Sequence, residues 1–365
     1  MNTLDSNFND FLTNIRLTPN QVNDSKTGHE TLRDRLYRDD YLKNHIITTF
    51  LQGSYKRHTA VRPKDDIKSD VDIVVVTNLK ETDYPNPQDA INLFLPFVKK
   101  YYEGKYDNTQ SRSIGIELSY VKLDLVITSA PSEAVAKILR NKDLDQYDED
   151  DSEGYQFNKY LDVLEKSGDQ WKNEPLRIPD RHAGSWESTH PLEQIKWTID
   201  KNNSTNKHYI NVVKAIKWWH RITPGLPKYP KSYPLEHIVG DKCLDGIQSV
   251  AEGITAVLEN MVRDYLPYVS SNTVPVSQDR GVDHNVLARI IPEDFSSFYK
   301  KISEAAKLAR RALDLDKEHI SESIGIWQQL LGDKFPGGGD DNESNQKDGF
   351  SIRTGPSTAG RSTYA

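Results

Sequence analysis

This 365-residue sequence holds one cysteine, Cys243, and has no apolar run near the ~20 residues that a membrane-spanning helix needs. A single thiol excludes an internal disulfide framework and a cysteine-based metal site. None of the ten histidines falls in an HExxH or His-x-His arrangement, which argues against a zinc enzyme. Positive charge is in deficit: 47 Lys and Arg stand against 54 Asp and Glu, a net charge of −7. A long nucleic-acid groove would need clustered basic residues to release counterions, so that class is disfavoured. A small anionic substrate needs no more than a local basic lining. The opening MNTLDSNFND lacks the basic and apolar regions of a signal peptide, and a cytoplasmic protein without a membrane anchor is expected. The length suffices for two domains with their own cores.

The richest stretch runs from Leu51 to Thr77, LQGSYKRHTAVRPKDDIKSDVDIVVVT. Side chains alternate between the faces of a strand. Val71, Ile73 and Val75 therefore point into a core while Asp70 and Asp72 project together from the other face. Two carboxylates side by side repel unless a cation lies between them, and a hard divalent cation such as Mg²⁺ favours oxygen ligands. The Gly53-Ser54 turn offers backbone N–H groups and a hydroxyl that suit a phosphate. Asp124 stands on the polar face of a second apolar strand, where Leu123, Leu125 and Ile127 alternate with Lys122, Asp124 and Val126. Asp is a poor strand former, so three of them on strands point to a use. Two ions roughly 3.5–4 Å apart, bridged by such a trio, activate an attacking hydroxyl and stabilise a leaving phosphate. Arg57, His58, Thr59 and Arg62 share the loop after Ser54, in reach of a triphosphate or simply solvated.

Along the chain, 28–44 has the apolar spacing of a helix, 45–52 and 70–78 that of strands, and 86–102 that of a helix kinked at Pro96. Strands are expected at 114–120 and around Asp124. Residues 131–180 are polar, with an acidic run over 145–153 expected to be a solvated loop. From His190 onward the pattern is helical, most clearly at 208–221 and 292–314. The latter opens on Pro292-Glu293-Asp294 and repeats Phe295, Phe298, Ile302, Ala305, Ala309 and Ala312 down one stripe. Trp218 and Trp219 are expected in the core, and Glu236 and His237 on a helix face. The Gly-, Ser- and Asp-rich 336–365 is expected to be a disordered tail.

The ordered set Gly53-Ser54, Asp70-x-Asp72 and a later strand Asp124 resembles the signature of the DNA polymerase β-like nucleotidyltransferases. The wider text, from about Phe8 to Phe335, is similar to the bacterial cGAS/DncV-like nucleotidyltransferases (CD-NTases), most closely to the branch making cyclic trinucleotides. The resemblance implies an α+β fold: a catalytic core with a mixed β-sheet over 1–185, then a helical domain over 186–335 that completes an OAS/cGAS-like bilobal cleft. It implies Asp70, Asp72 and Asp124 as catalytic ligands of two Mg²⁺ ions. It further implies a helix lysine and a Ser-Tyr pair that grip the triphosphate and stack on the base. Those roles fall to Lys217, with Lys214 as its competitor one turn earlier, and to Ser232 and Tyr233. The implied reaction joins ATP, with or without a second purine nucleotide, into a cyclic second messenger of anti-phage defence, read by an effector. The resemblance also implies a ubiquitin-transfer-like partner acting on the terminal Ala365. The zinc thumb of animal relatives cannot be built with one cysteine. Two other readings stand beside this one: transfer to a tRNA, protein or small-molecule acceptor, and a nucleotide-binding protein without chemistry.

Overall fold

The computed structural model of the chain describes residues 3–64, 68–140 and 170–337. The acidic run at 145–153 and the terminal stretch ending at Ala365 lie outside the described residues. The elements follow in the order α1 (Asp5–Ile15), α2 (Pro19–Arg38), β1 (Ile46–Gln52), α3 (Gly53–Lys56), β2 (Ser69–Thr77), α4 (Pro87–Asn92) and α5 (Leu95–Tyr102). Then come β3 (Tyr106–Asp107), β4 (Ser113–Glu117), β5 (Val121–Ser129), α6 (Glu133–Leu139), α7 (Gln170–Asn173), β6 (Leu176–Asp180) and β7 (Ser185–Thr189). The rest is helical: α8 (Pro191–Ser204), α9 (Tyr209–Ile222), α10 (Ser232–Lys242), α11 (Val250–Ser270), α12 (Pro292–Asp314) and α13 (Ile320–Leu331). This is an α+β chain with a mixed sheet.

The sheet runs β1-β2-β5-β4-β3, and β6 and β7 continue from the end of β5. β2 and β5 are parallel, and the remaining pairs are antiparallel. The alternation read from the sequence holds: Val71, Ile73, Val75, Leu123, Leu125 and Ile127 are fully buried in one core against α2, α4 and α5. The opposite face is covered as well, since Val74 and Val76 pack against Leu192, Ile195 and Ile199 of α8. Both faces of the inner strands are therefore apolar over their second halves. The aspartates occupy the first halves, where the cover ends.

A separate, larger core joins α9 to α13 and also takes in Phe8, Phe11, Leu12 and Ile15 of α1. Helix α1 thus packs among the C-terminal helices, while α8 packs on the sheet. The chain passes from the helical lobe to the sheet lobe after α1 and returns to the helical lobe at α9. The stripe on α12 is buried throughout, and Trp218 and Trp219 are in the same core.

Several expectations shift. The helix expected over 28–44 is Pro19–Arg38, because Thr18 and Gln21 form a reciprocal capping box ahead of Pro19. The expected kinked helix at 86–102 is two helices, with Pro96 in the first turn of the second rather than at a kink. The polar region 131–180 contains α6, α7 and β6, and β6–β7 is a hairpin that its weak alternation did not signal. Among the described residues no helix is long and apolar enough to cross a membrane.

Candidate active site

The parallel register of β2 and β5 sets Asp72 directly beside Asp124 and Asp70 beside Lys122. β1 pairs Gln52 with Asp72, so the next residue, Gly53, turns immediately over that carboxylate. Gly53 has φ +72°, and a Cβ built on it would lie 1.8 Å from Asp72 Oδ2. Only glycine satisfies both the left-handed backbone and the contact. The turn and the carboxylate are thus locked into one another. Asp72 is pushed up to about 7, first by burial and then by the charges of Asp70 and Asp124. Asp70, more open to solvent, is raised by desolvation and by Asp124.

Lys122 answers part of this negative charge. Its ammonium lies 3.5 Å from Asp70 Oδ1 and 3.4 Å from Asp124 Oδ1, and Gln110 Nε2 donates to the same Asp124 oxygen at 3.1 Å. With Lys122 between two of the three acids, no group of three His, Cys, Asp or Glu side chains is gathered as a ready metal cage among the described residues. The donor chemistry nevertheless fits a divalent cation. Three hard oxygen donors stand on adjacent strands with one ammonium against two of them, and the surplus charge is felt in the raised Asp72. Asp70, Asp72 and Asp124 are the residues that would hold it.

A cleft of about 870 Å³ opens between the lobes, at the upper end of the usual size for ligand sites. Gly53, Ser54, Asp70 and Asp72 line one side, and Lys217, Ser232 and Tyr233 line the other. Asp124 sits behind Asp72 and does not line the cleft. The expected site residues from distant parts of the chain are thus brought together on one space, apart from Asp124, which reaches it through its strand neighbour.

On the helical side, α10 starts at Ser232, which is exposed at its first turn. Tyr233 donates its hydroxyl to Asp279, and the Arg57 guanidinium lies 5.2 Å from the centre of its ring. Burial and the Asp279 charge push the phenol upward, so it stays protonated. Glu236 lies one turn along α10, on a helix face as expected, and that face is buried. It is 3% exposed and accepts from Arg57 Nε at 2.7 Å, Thr59 Oγ1 at 2.8 Å and Lys217 Nζ at 2.7 Å. Burial alone would raise its carboxyl, but Arg57 and Lys217 outweigh it and hold the group well below the usual carboxylate range. Lys217 also donates to the Thr59 carbonyl at 3.2 Å.

Of the other candidates, Lys214 is buried and does not line the cleft. Arg62 turns away, donating to the Arg16 and Thr13 carbonyls. His58 stands outside the cleft lining with φ +55°. Sequence reading missed Lys122, Gln110, Glu236 and Asp279. Lys122 was detectable as the residue sharing a strand face with Asp124, and Glu236 as the residue one turn after Ser232-Tyr233. Gln110 and Asp279 lie in irregular segments that carry no periodic signal.

Comparison with known proteins bears on the family and the fold. Residues 1–133 match the Second Messenger Oligonucleotide or Dinucleotide Synthetase domain. The chain is 43% identical to a cyclic AMP-AMP-GMP synthase of Enterobacter hormaechei over 91% of its own length and 92% of the relative's. It is 41% identical to a probable cyclic AMP-AMP-GMP nucleotide synthase of Salmonella paratyphi B, over 97% of each chain. Among solved structures, the Bradyrhizobium diazoefficiens CD-NTase CdnG in complex with GTP superposes with a TM-score of 0.66 at 13% identity, covering 92% of this chain and 97% of that one.

Proposed function

Because this chain belongs to the CD-NTases, the nucleotidyltransferases that build cyclic oligonucleotide second messengers, we propose that it makes an adenine-rich cyclic trinucleotide from ATP and a second purine nucleotide. The near full-length similarity to two relatives named for cyclic AMP-AMP-GMP favours a guanine nucleotide as that second substrate. The observation that carries the reading is the placement of the Gly53-Ser54 turn, the strand aspartates and the Ser232-Tyr233 pair around one cleft.

In this reading the family's metal dependence is met by two Mg²⁺ ions held by Asp70, Asp72 and Asp124. Bound there, they would supply a Lewis acid for the attacking ribose hydroxyl and for the pyrophosphate leaving group. The chain's own groups bind and orient. The Ser54 hydroxyl donates to a phosphate oxygen, with Ser232 and the positive charge around Lys217 facing it across the cleft. The Tyr233 ring, which lines the cleft, takes a base, as any purine can stack on an aromatic face. Asp124, fixed by Gln110 and set back behind Asp72, would help hold the ion beside which the acceptor hydroxyl is oriented. That hydroxyl forms a bond to the α-phosphorus as the bond to pyrophosphate breaks, and its proton passes to solvent in the cleft. Nothing else is consumed, so no template or external acceptor is needed. We further infer a cytoplasmic enzyme whose product is read by an effector in anti-phage defence.

The test is to incubate the purified chain with all four ribonucleotides and Mg²⁺, label each in turn, treat with phosphatase and resolve products by mass. A phosphatase-resistant product containing adenine and guanine, absent from the Asp70→Ala/Asp72→Ala double variant, is expected. Products that remain phosphatase-sensitive, or appear only when a tRNA or protein acceptor is added, would overturn the reading.

A further inference from the structure

Four side chains from three separated segments meet beside the cleft. Arg57 and Thr59 leave the sheet lobe just after the Gly53-Ser54 turn, Lys217 comes from the middle of α9, and Glu236 from the first turns of α10. Arg57 and Glu236 are 179 positions apart in sequence, and their side chains are 5% and 4% exposed. Lys217 and Glu236 are equally hidden, at 5% and 4%. An ion cluster this dry is weak evidence for stability, because desolvation offsets most of the attraction. Its geometry is what is specific. Glu236 accepts through both oxygens: Arg57 holds one, and Thr59 with Lys217 holds the other. The guanidinium so fixed lies under the Tyr233 ring. The far end of that ring is tied to Asp279, which also accepts from Gln194 of α8. A chain of contacts thus runs from the phosphate-side turn to the aromatic shelf, and on to α8, which packs on the sheet.

We propose that Glu236 is a positioning residue: it latches the loop after Gly53-Ser54 to the helical lobe, and so sets Tyr233 at a fixed place and angle across the cleft. Arg57 is the arm of the latch, and Thr59 and Lys217 hold the carboxylate from its other side. Arg57 and Lys217 against one carboxylate also leave the cluster with one net positive charge beside a site for a polyanion. The inference rests on the proposed function in taking the cleft as the nucleotide site.

Simple electrostatics and the latch predict opposite signs for one substitution. Glu236→Gln removes a negative charge next to the cleft, so charge alone would tighten ATP binding. If Glu236 positions the turn and the shelf, ATP binding weakens instead. The measurement is the dissociation constant for ATP in Mg²⁺, by calorimetry on the full chain, together with KM and kcat for product formation. The latch predicts a tenfold or greater rise in Kd and KM for Glu236→Gln. It further predicts that this rise shrinks below threefold in a Tyr233→Leu background, because the shelf being positioned is gone. A merely structural role would lower the melting temperature and give the same fold-change in both backgrounds. Thr59→Val covers the case in which Glu236→Gln does not fold. It deletes one donor without altering charge or shape, and a threefold or greater rise in Kd is expected. Tighter or unchanged ATP binding in Glu236→Gln, a rise that persists with Tyr233→Leu, or unchanged binding in Thr59→Val would each overturn the latch. If the wild-type chain itself bound no ATP, it is the nucleotide-site reading that would fall.

Discussion

At the scale of the residue, the site is governed by how much negative charge a few strand positions must carry. Asp72 is the extreme case, enclosed by the Gly53 turn on one side and by Asp124 on the other. Its carboxyl is raised from 3.8 to about 7. A carboxyl raised in the folded state still binds a proton that the unfolded chain has released. Between pH ~4 and ~7 this group therefore makes the metal-free protein less stable as pH rises, and the full cost is present above 7. Asp72→Asn keeps the shape and removes the titration. By calorimetry in chelator, the variant should melt a few degrees above wild type at pH 8, with the gap narrowing as pH falls and closing near pH ~4. Adding Mg²⁺ at pH 8 should raise the wild-type midpoint and leave the variant's nearly unchanged. An Asp72→Asn variant that melts lower than wild type at pH 8 in chelator would show that the carboxylate is already compensated. In the proposed reaction Asp72 stands at the reacting centre, so activity should fall at least 100-fold in the same variant. Stability and function thus pull in opposite directions at this one position.

At the scale of the element, α9 shows how one helix separates a working face from a packing face. Lys214 and Lys217 lie three residues apart, and a turn has 3.6. Lys217 reaches the cleft and Glu236, whereas Lys214 is 9% exposed and does not line the cleft. Burial, with help from the charges of Arg16 and Lys217, lowers the Lys214 amine to about 7. Between ~7 and ~10.5 the folded state holds fewer protons here than the unfolded chain, so stability from this group rises with pH and is poorest at or below 7. Lys214→Met retains length and apolar contact. It should melt a few degrees above wild type at pH 7, with the gap closing by pH 10, and its KM for ATP should stay within threefold. A tenfold rise in KM would move the phosphate-side role from Lys217 to Lys214. The spacing KAIKWW placed both lysines on the helix but could not rank them by surroundings. Which of them meets the cleft depends on α10 and on the loop at Thr59, and neither is local to that spacing.

At the scale of the whole molecule, legibility followed the range of the signal. The strand aspartates were readable because period-2 alternation places Asp70, Asp72 and Asp124 opposite buried neighbours within a few residues. The α12 stripe was readable for the same reason at period 3.6. The sequence places Glu236 on a helix face but not in an ion cluster, because its partners Arg57 and Thr59 are 179 and 177 positions away, and pairing at that distance leaves no periodic trace. Helix α1 is the largest such case. Its apolar residues Phe8, Phe11, Leu12 and Ile15 look like an ordinary amphipathic start to the sheet lobe, yet they complete the helical one. Phe8 meets Trp327 edge-on at 4.9 Å and Phe335 at 5.0 Å, so the beginning of the chain closes over the end of its helical lobe. The ring is 1% exposed, and replacing it leaves a cavity between aromatic faces that cannot easily collapse. Phe8→Ala should therefore cost about 3–5 kcal/mol in urea unfolding. Because the helical lobe carries Tyr233 and Lys217, that loss should also lower nucleotide affinity near the unfolding midpoint and spare it well below. A variant with wild-type stability would mean that α1 rests on the lobe without supporting it. A large loss, read by tryptophan fluorescence from Trp327 and its neighbours, would make α1 a structural part of the lobe that faces the catalytic sheet.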